Sequence, residues 1–416
     1  MKAKIKLTLL LITYVISGAI INIILKYLSI QESLGILFFH DWLIIFFVFL
    51  SEMFALFMYY IKNRKSKSDS KKENDQEISE EKKREGENEL KSISFKEKIF
   101  YTVAASFLDC LASSLGVLSL NITGASDIIF LKALMLIIII FIISWIKTKK
   151  RPIIDYLIGF ICAIISFILI CLSAFIVNEN NDDYKRIIIS FSVMLFAMFC
   201  QSVQNFIIEE NIIRTYRIHQ FLFIGLEGVF GSIFNLILCI ILYFINCDPN
   251  EYTKQICTQD DKENWKVENS LFAFKQIYEN YIILILLIIF MIIIAIYNMI
   301  AISIIKYGGA LTRGLVENIR TILVWIIFLI PWTTDSLREN FNWYRLAGVI
   351  FIIASLLFYF SIFKIDEKMT IRSKIIALSS PCRFSNINDV SRSEQSDDFE
   401  SLIKQDNVNS NEFEDK

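Results

Sequence analysis

Apolar residues along this chain come in blocks, not at the alternating or three-to-four spacing of a half-buried strand or a surface helix. Blocks of about 20 residues, broken by short polar connections, predict helices long enough to cross a bilayer core. Ten such spans can be drawn, at 7–28, 36–61, 98–119, 125–146, 153–177, 187–208, 221–245, 281–305, 311–331 and 343–363. The first lacks a small-residue cleavage site and reads as a retained span, not a signal peptide. Two stretches break the pattern. Residues 63–96 are charged, mixed in sign and poor in apolar residues, which predicts a disordered linker; residues 365–416, rich in Ser, Asn and Asp, predict a disordered tail.

Composition agrees with the pattern. The 416 residues are 55% hydrophobic with 36 Phe and only 4 Pro, against 45–50% apolar in a soluble domain. The net charge of −1 hides a segregation of charge into connections and tails. No basic face remains for nucleic acid. Lys2, Lys4, Lys6, the run 62–67, Lys147 to Arg151, Arg214, Arg217, Lys306, Arg313 and Lys364 fall on one side, while 29–35 and 119–124 carry no Lys or Arg. Basic residues stay inside, so both termini are expected in the cytosol, as an even number of spans requires. Five of the eight Cys lie within spans as small apolar fillers. Cys247 and Cys257 share the long connection 246–280, where a disulfide and two free thiols both stay open.

The chain also repeats itself. GASDIIFLKALMLIIIIF (124–141) aligns without a gap on GALTRGLVENIRTILVWI (309–326). Eight residues after the shared Gly-Ala start stands a charge, Lys132 in the first copy and Glu317 in the second. Spans four and nine are then equivalent, and the chain divides as five plus five: 1–62 and 97–178 against 179–364. An odd number per half turns the second half upside down, the inverted repeat of secondary transporters. The fold expected is an all-α membrane protein of ten transmembrane helices in two inverted five-helix repeats. Entering from opposite sides, Lys132 and Glu317 each lie roughly 12 Å deep in a core about 30 Å thick.

Ionised groups at such depth normally face a bundle interior or a wet cavity. Arg313, Glu317 and Arg320 are spaced i, i+4, i+7 and form one stripe, with the carboxylate between two guanidinium groups. Span three offers Ser106, Asp109, Ser113 and Gly116 on one stripe; span two offers Glu52; span seven opens GLEGVFG, with Glu227 between glycines that permit close helix approach. Each admits a structural reading. Glu317 and Arg320 either lock helices together or line a cavity; Asp109 either bridges its Ser neighbours or binds; Glu52 and Glu227 lean towards structure or gating. Lys26, His40 and Asp41 are expected to snorkel or be solvated, and Glu209 and Glu210 to mark a helix end at the cytosolic surface. Enzymatic readings lack material: two His, no phosphate-cradling Gly-rich Lys motif and no metal cluster. No cofactor is implied.

Several stretches carry a family resemblance: FLDCLASSLGVLSLNITGAS (107–126), the FLKALMLIIIIF that follows, IIEENII (207–213), GLEGVFG (225–231) and GALTRGLVENIRTILVWII (309–327). They resemble solute carrier family 35 of the drug/metabolite transporter superfamily and, more narrowly, the member-six branch of its subfamily F. The resemblance implies a multi-pass carrier of endolysosomal or related internal membranes, with Golgi or ER membranes as the alternative. GALTR (309–313) is also similar to the GALNK motif of GDP-mannose transporters, with Thr312 in the Asn place and Arg313 in the Lys place. The companion Phe-Tyr-Asn-Asn motif is missing, so guanine-sugar specificity has no support.

The expectation is a carrier that moves a small polar, anionic metabolite, nucleotide-sugar-like or related, by alternating access. Arg313, Arg320 and Lys132 would attract the anionic group; Glu317 and Asp109 would pair with them or couple protons. The rival is a non-transporting membrane scaffold or receptor that keeps the carrier fold. Partners implied are a small-molecule substrate and the bilayer, with a homodimer left open. Asp398-Phe-Glu-Ser-Leu402-Ile403 matches the acidic dileucine pattern read by sorting adaptors, with a chance match equally open.

Overall fold

The computed structural model describes residues 2–73, 95–123, 132, 138–139, 141–143, 154–177, 181–210, 212–213, 216, 218–248, 257–259, 265–330 and 341–359. Most of predicted span four, the centre of the charged linker, and the tail with Asp398, Leu402 and Ile403 lie outside the described residues.

Helices account for the other predicted spans. They are α1 (Lys2–Ser29), α2 (Asp41–Glu52), α3 (Phe54–Glu73), α4 (Phe95–Thr123), α5 (Ile154–Val177), α6 (Asn181–Ser202), α7 (Gln220–Phe244), α8 (Ser270–Glu279), α9 (Tyr281–Gly308), α10 (Ala310–Leu329) and α11 (Trp343–Tyr359). Among the described residues, six stretches are long and apolar enough to cross a membrane: Ile5–Ser29, Asp41–Arg64, Lys96–Ser119, Ile187–Phe206, Gln220–Phe244 and Tyr281–Gly308. Their outward faces are rows of Ile, Leu and Phe. On α9 these include Ile285, Ile288 and Ile292, and on α7 Ile233, Ile237 and Ile240, all about half exposed. Such faces suit hydrocarbon, since a soluble fold hides large contiguous apolar patches. The molecule is an all-α membrane protein.

Two expectations shift at the helix ends. α3 runs on to Glu73, past residue 63 where the disordered linker was expected to begin, because Lys, Arg and Glu are good helix formers. Predicted span two starts later than drawn. Ile36–Leu37 pairs instead with Glu32–Ser33 in a two-residue hairpin (β1 and β2). Its turn residues Leu34 and Gly35 have φ of 58° and 75°, as a tight hairpin turn requires. The connection 246–280 is likewise structured. Thr258–Gln259 (β3) pairs with Trp265–Lys266 (β4), Cys247 is disulfide-bonded to Cys257 with Cα atoms 6.0 Å apart, and α8 follows, capped where Asn269 accepts from Phe272 N at 3.2 Å.

Helices pack in a definite set of pairs: α1 with α9, α4 with α6, α2 and α3 with α7, and α5 with α11, joined by α4 with α7, α2 with α9, and α1 with α10. Without water to drive association, small residues and interhelical hydroxyl bonds hold such contacts. Ser119 and Ser190 donate to each other's carbonyls at 2.8 Å across α4 and α6. Ser166 donates to Gly348 O at 2.7 Å across α5 and α11. Between α2 and α7 the glycines of GLEGVFG set the distance: a Cβ on Gly228 would stand 2.7 Å from Met53 N and from Phe49 O. No side chain fits there, and that approach brings Glu52 and Glu227 into the same interior.

Candidate functional site

α10 carries its charged stripe into the bundle, but the two arginines take different partners. Arg320 pairs with Glu317 one turn earlier and donates to the Tyr297 hydroxyl at 2.6 Å. Tyr14 donates to Glu317 Oε2 at 2.7 Å, and Tyr297 reaches the Tyr14 hydroxyl at 2.7 Å. The two tyrosine rings stack with centroids 4.4 Å apart. This knot ties α1, α9 and α10 together. It depends on Gly18, where a Cβ would stand 2.3 Å from Arg320 Cδ.

Arg313 turns away from Glu317. It donates to Glu209 Oε2 at 2.8 Å and to Asn205 Oδ1 at 2.9 Å. Both partners come from Val203–Glu209, where the helix continuing α6 widens to a π-helix. A π turn adds a residue to the turn and so re-aims side chains; here it buries the neighbours Gln204 and Asn205 together with Glu209. Two expectations are thereby corrected. Glu317 is not clamped between two guanidinium groups, since Arg313 lies one turn away and the π turn meets it first. Glu209 is no surface helix end but 1% exposed and ion-paired.

Across from these pairs the carboxylates have other company. Glu52 Oε1 accepts from Asn298 Nδ2. Glu227 Oε1 and Glu209 Oε1 each accept from the amide nitrogen of Gln204 at 2.9 Å. Asp109 has Gln204 and Ser113 beside it, with Arg313 and Lys132 the cations acting on it.

These groups enclose a cavity of about 270 Å³. Of the sequence-predicted residues, Glu52, Asp109, Ser113, Lys132, Glu227, Arg313, Glu317 and Arg320 line it. Lys132, Arg313, Glu317 and Arg320 also line an adjoining pocket of about 30 Å³, room for a water or two. Thr312 lines neither: its hydroxyl bonds back to Gly308 O at 2.7 Å, the usual habit of a mid-helix threonine. Tyr14, Gln201, Gln204, Asn205, Tyr297 and Asn298 belong to the site and were missed. Gln201, Gln204 and Asn205, at i, i+3, i+4 in an apolar span, were a polar stripe legible by the rule applied to α10.

A second polar cluster lies towards one end of the bundle. His40 was expected to be solvated, yet it is 2% exposed. Its Nδ1 lies 2.7 Å from Glu268 Oε1 and its Nε2 3.0 Å from Gln276 Oε1. Gln276 donates in turn to Ser33 O and Ile36 O, both at 3.1 Å. The hairpin and the chain around α8 fold over His40 and remove it from water. Lys26 places its ammonium 3.9 Å over the Phe328 ring.

A helical membrane protein with a charged interior cavity is of the transporter-like class. The comparisons with known proteins agree. The chain is similar to solute carrier family 35 member F6 of Homo sapiens and of Pongo abelii, 22% identical to each over 255 residues, which are 60% of this chain and 64% of each relative. It is 23% identical over 224 residues to the protein of the same name from Rattus norvegicus. These relatives support the solute carrier 35 family and the F6 branch that the sequence motifs resemble. The chain spans a little under two thirds of the length of the curated relatives it matches. No protein-family model matches it.

Proposed function

We propose that the chain is a secondary carrier that moves a small polar metabolite with an anionic group across an internal membrane by alternating access. The observation that carries this reading is the cavity, lined by ionisable groups from α2, α4, α7 and α10. Keeping such groups at bilayer depth is costly, and a scaffold that moved nothing would gain little from leaving space among them.

The helix pairing supports ten spans in two inverted halves. Exchanging spans one to five for six to ten turns α1–α9 into α4–α6 and α4–α7 into α2–α9, and leaves the α2–α7 and α5–α11 pairs as they are. These pairs map onto one another, as two copies of one unit related by an axis in the membrane plane require; the counterpart of α1–α10 falls on span four, outside the described residues. On this reading both termini face the cytosol, and the membrane is endolysosomal or, alternatively, that of Golgi or ER. Lys132 supplies the cation for the substrate's anionic group, while Arg313 and Arg320 are held to the same wall by Glu209 and Glu317. The disulfide-bearing connection lies on the lumenal side, and the tail motif ending in Leu402 and Ile403 addresses sorting adaptors.

Counterflow into vesicles containing purified protein tests the reading. With a panel of labelled polar metabolites, wild type is expected to accumulate at least one saturably, and Glu317→Gln and Arg320→Ala to lose that accumulation. A properly folded wild-type protein that moves nothing in the panel contradicts it.

A further inference from the structure

Among the described residues, five carboxylates and three cations line the main cavity: Glu52, Asp109, Glu209, Glu227 and Glu317 against Lys132, Arg313 and Arg320. Two of the cations are already committed, Arg313 to Glu209 and Arg320 to Glu317. By formal charge the remainder is therefore acidic, although the stripe on α10 reads as basic. Among the described residues, two buried acceptors on lining side chains also lack hydrogen-bond partners, Glu52 Oε2 and Gln204 Oε1. These side chains are 4% and 3% exposed. A buried acceptor left unsatisfied is costly, and a carboxylate withdrawn from water without a partner more so.

We propose that this acidic side, Glu52 and Glu227 with Gln204, receives the protonated amino group of the substrate, whose carboxylate is met by Lys132. The substrate class is then a zwitterion of amino-acid size. An ammonium group carries three N–H donors and no acceptor, and so answers several separate acceptors at once. A bare metal ion would need its ligands gathered round one point, and among the described residues no three His, Cys, Asp or Glu are so gathered. Size points the same way. At about 270 Å³ the cavity falls just below the ~300–1,000 Å³ of sites for drug-sized ligands, which suits a free amino acid. This inference rests on the carrier reading and narrows its substrate.

The test compares, for purified wild-type protein, free α-amino acids with their N-acetyl derivatives, which keep only the anion, and their amides, which keep only the cation. Melting temperature and vesicle counterflow are read for each, with sodium chloride titrated separately. At least one free amino acid is expected to stabilise and be transported, with its N-acetyl form at least about tenfold weaker, the loss of one charge-assisted contact. Glu52→Gln and Glu227→Gln are expected to abolish the preference for the free amino group. The comparison of ligands on wild type stands even where a variant fails to fold. N-acetylated or purely anionic ligands that bind and move as well as or better than zwitterions overturn the inference and leave the carrier reading standing. Stabilisation by sodium alone overturns it in favour of an inorganic cation. Binding and transport of nothing in either panel overturns both.

Discussion

Carboxylates on the two sides of the cavity are treated differently. On the α10 side each arginine is closed on a carboxylate and steadied by a second group, Asn205 for Arg313 and Tyr297 for Arg320. On the side of α2 and α7 the carboxylates are met by amides, Asn298 for Glu52 and Gln204 for Glu227, and acceptors remain unanswered. Paired charge inside a bundle fixes helices relative to one another, whereas unpaired charge next to open space keeps a place for something else. Formal charge counted along one helix therefore misleads about the charge a ligand meets.

The difference is broken most forcefully by Arg313→Ala. It strands Glu209, and removing one partner of a buried pair costs about 3–5 kcal/mol, so a large fall in melting temperature is expected. Unchanged melting would mean that the pair is solvated and structural weight lies elsewhere. Next comes Gly228→Val, which drives a side chain into the Met53 and Phe49 backbone. Overpacking of this kind costs about 1–3 kcal/mol, and by parting α2 from α7 it would also separate Glu52 from Glu227. Melting as for wild type would refute that close contact.

On the open side, Glu52→Gln keeps an oxygen for Asn298 and removes a carboxylate that makes no ion pair among the described residues. Its melting temperature is expected to change by less than about 1 kcal/mol equivalent, or to rise. A loss as large as that of Arg313→Ala would abolish the distinction between the two sides.

Much of this was legible beforehand and some was not. Blocks of Ile and Leu marked the apolar helices because hydrocarbon demands length and apolarity, both local properties. Glu52, Asp109, Lys132, Glu227 and Glu317 could be singled out because charge at depth is rare for a physical reason. Which charge meets which was not legible, since Arg313 finds Glu209 through a π turn that no spacing rule announces. Asn298 and Tyr297 hid in an Ile-rich span, where a hydroxyl and an amide raise little alarm until a partner helix brings Glu52 or Arg320 against them. His40 was misjudged because its burial comes from Glu268 and Gln276, more than two hundred residues away.

The smallest effect expected is at the rim, away from both sides of the cavity. Burial pushes the His219 imidazole below its ordinary value, with Lys62 and Lys306 adding to the shift. Its Nδ1 accepts from Phe221 N at 3.3 Å and caps α7, a role that needs the neutral ring. Folding favours the neutral form, so this stabilisation is present above the unfolded value of about 6.5 and is lost as pH falls through the lower folded one. His219→Asn, which caps without titrating, should flatten the melting temperature slightly on the acid side. Equal acid sensitivity in both proteins would remove His219 from the account.

The most direct test of the central claim is uptake of labelled free amino acids into vesicles holding wild type or Glu52→Gln, each shown by its melting curve to be folded. The account predicts saturable uptake of at least one amino acid by wild type and its loss in Glu52→Gln despite a near-normal melting temperature. Equal uptake by the two proteins would contradict it, because the open acidic side would then have no part in binding.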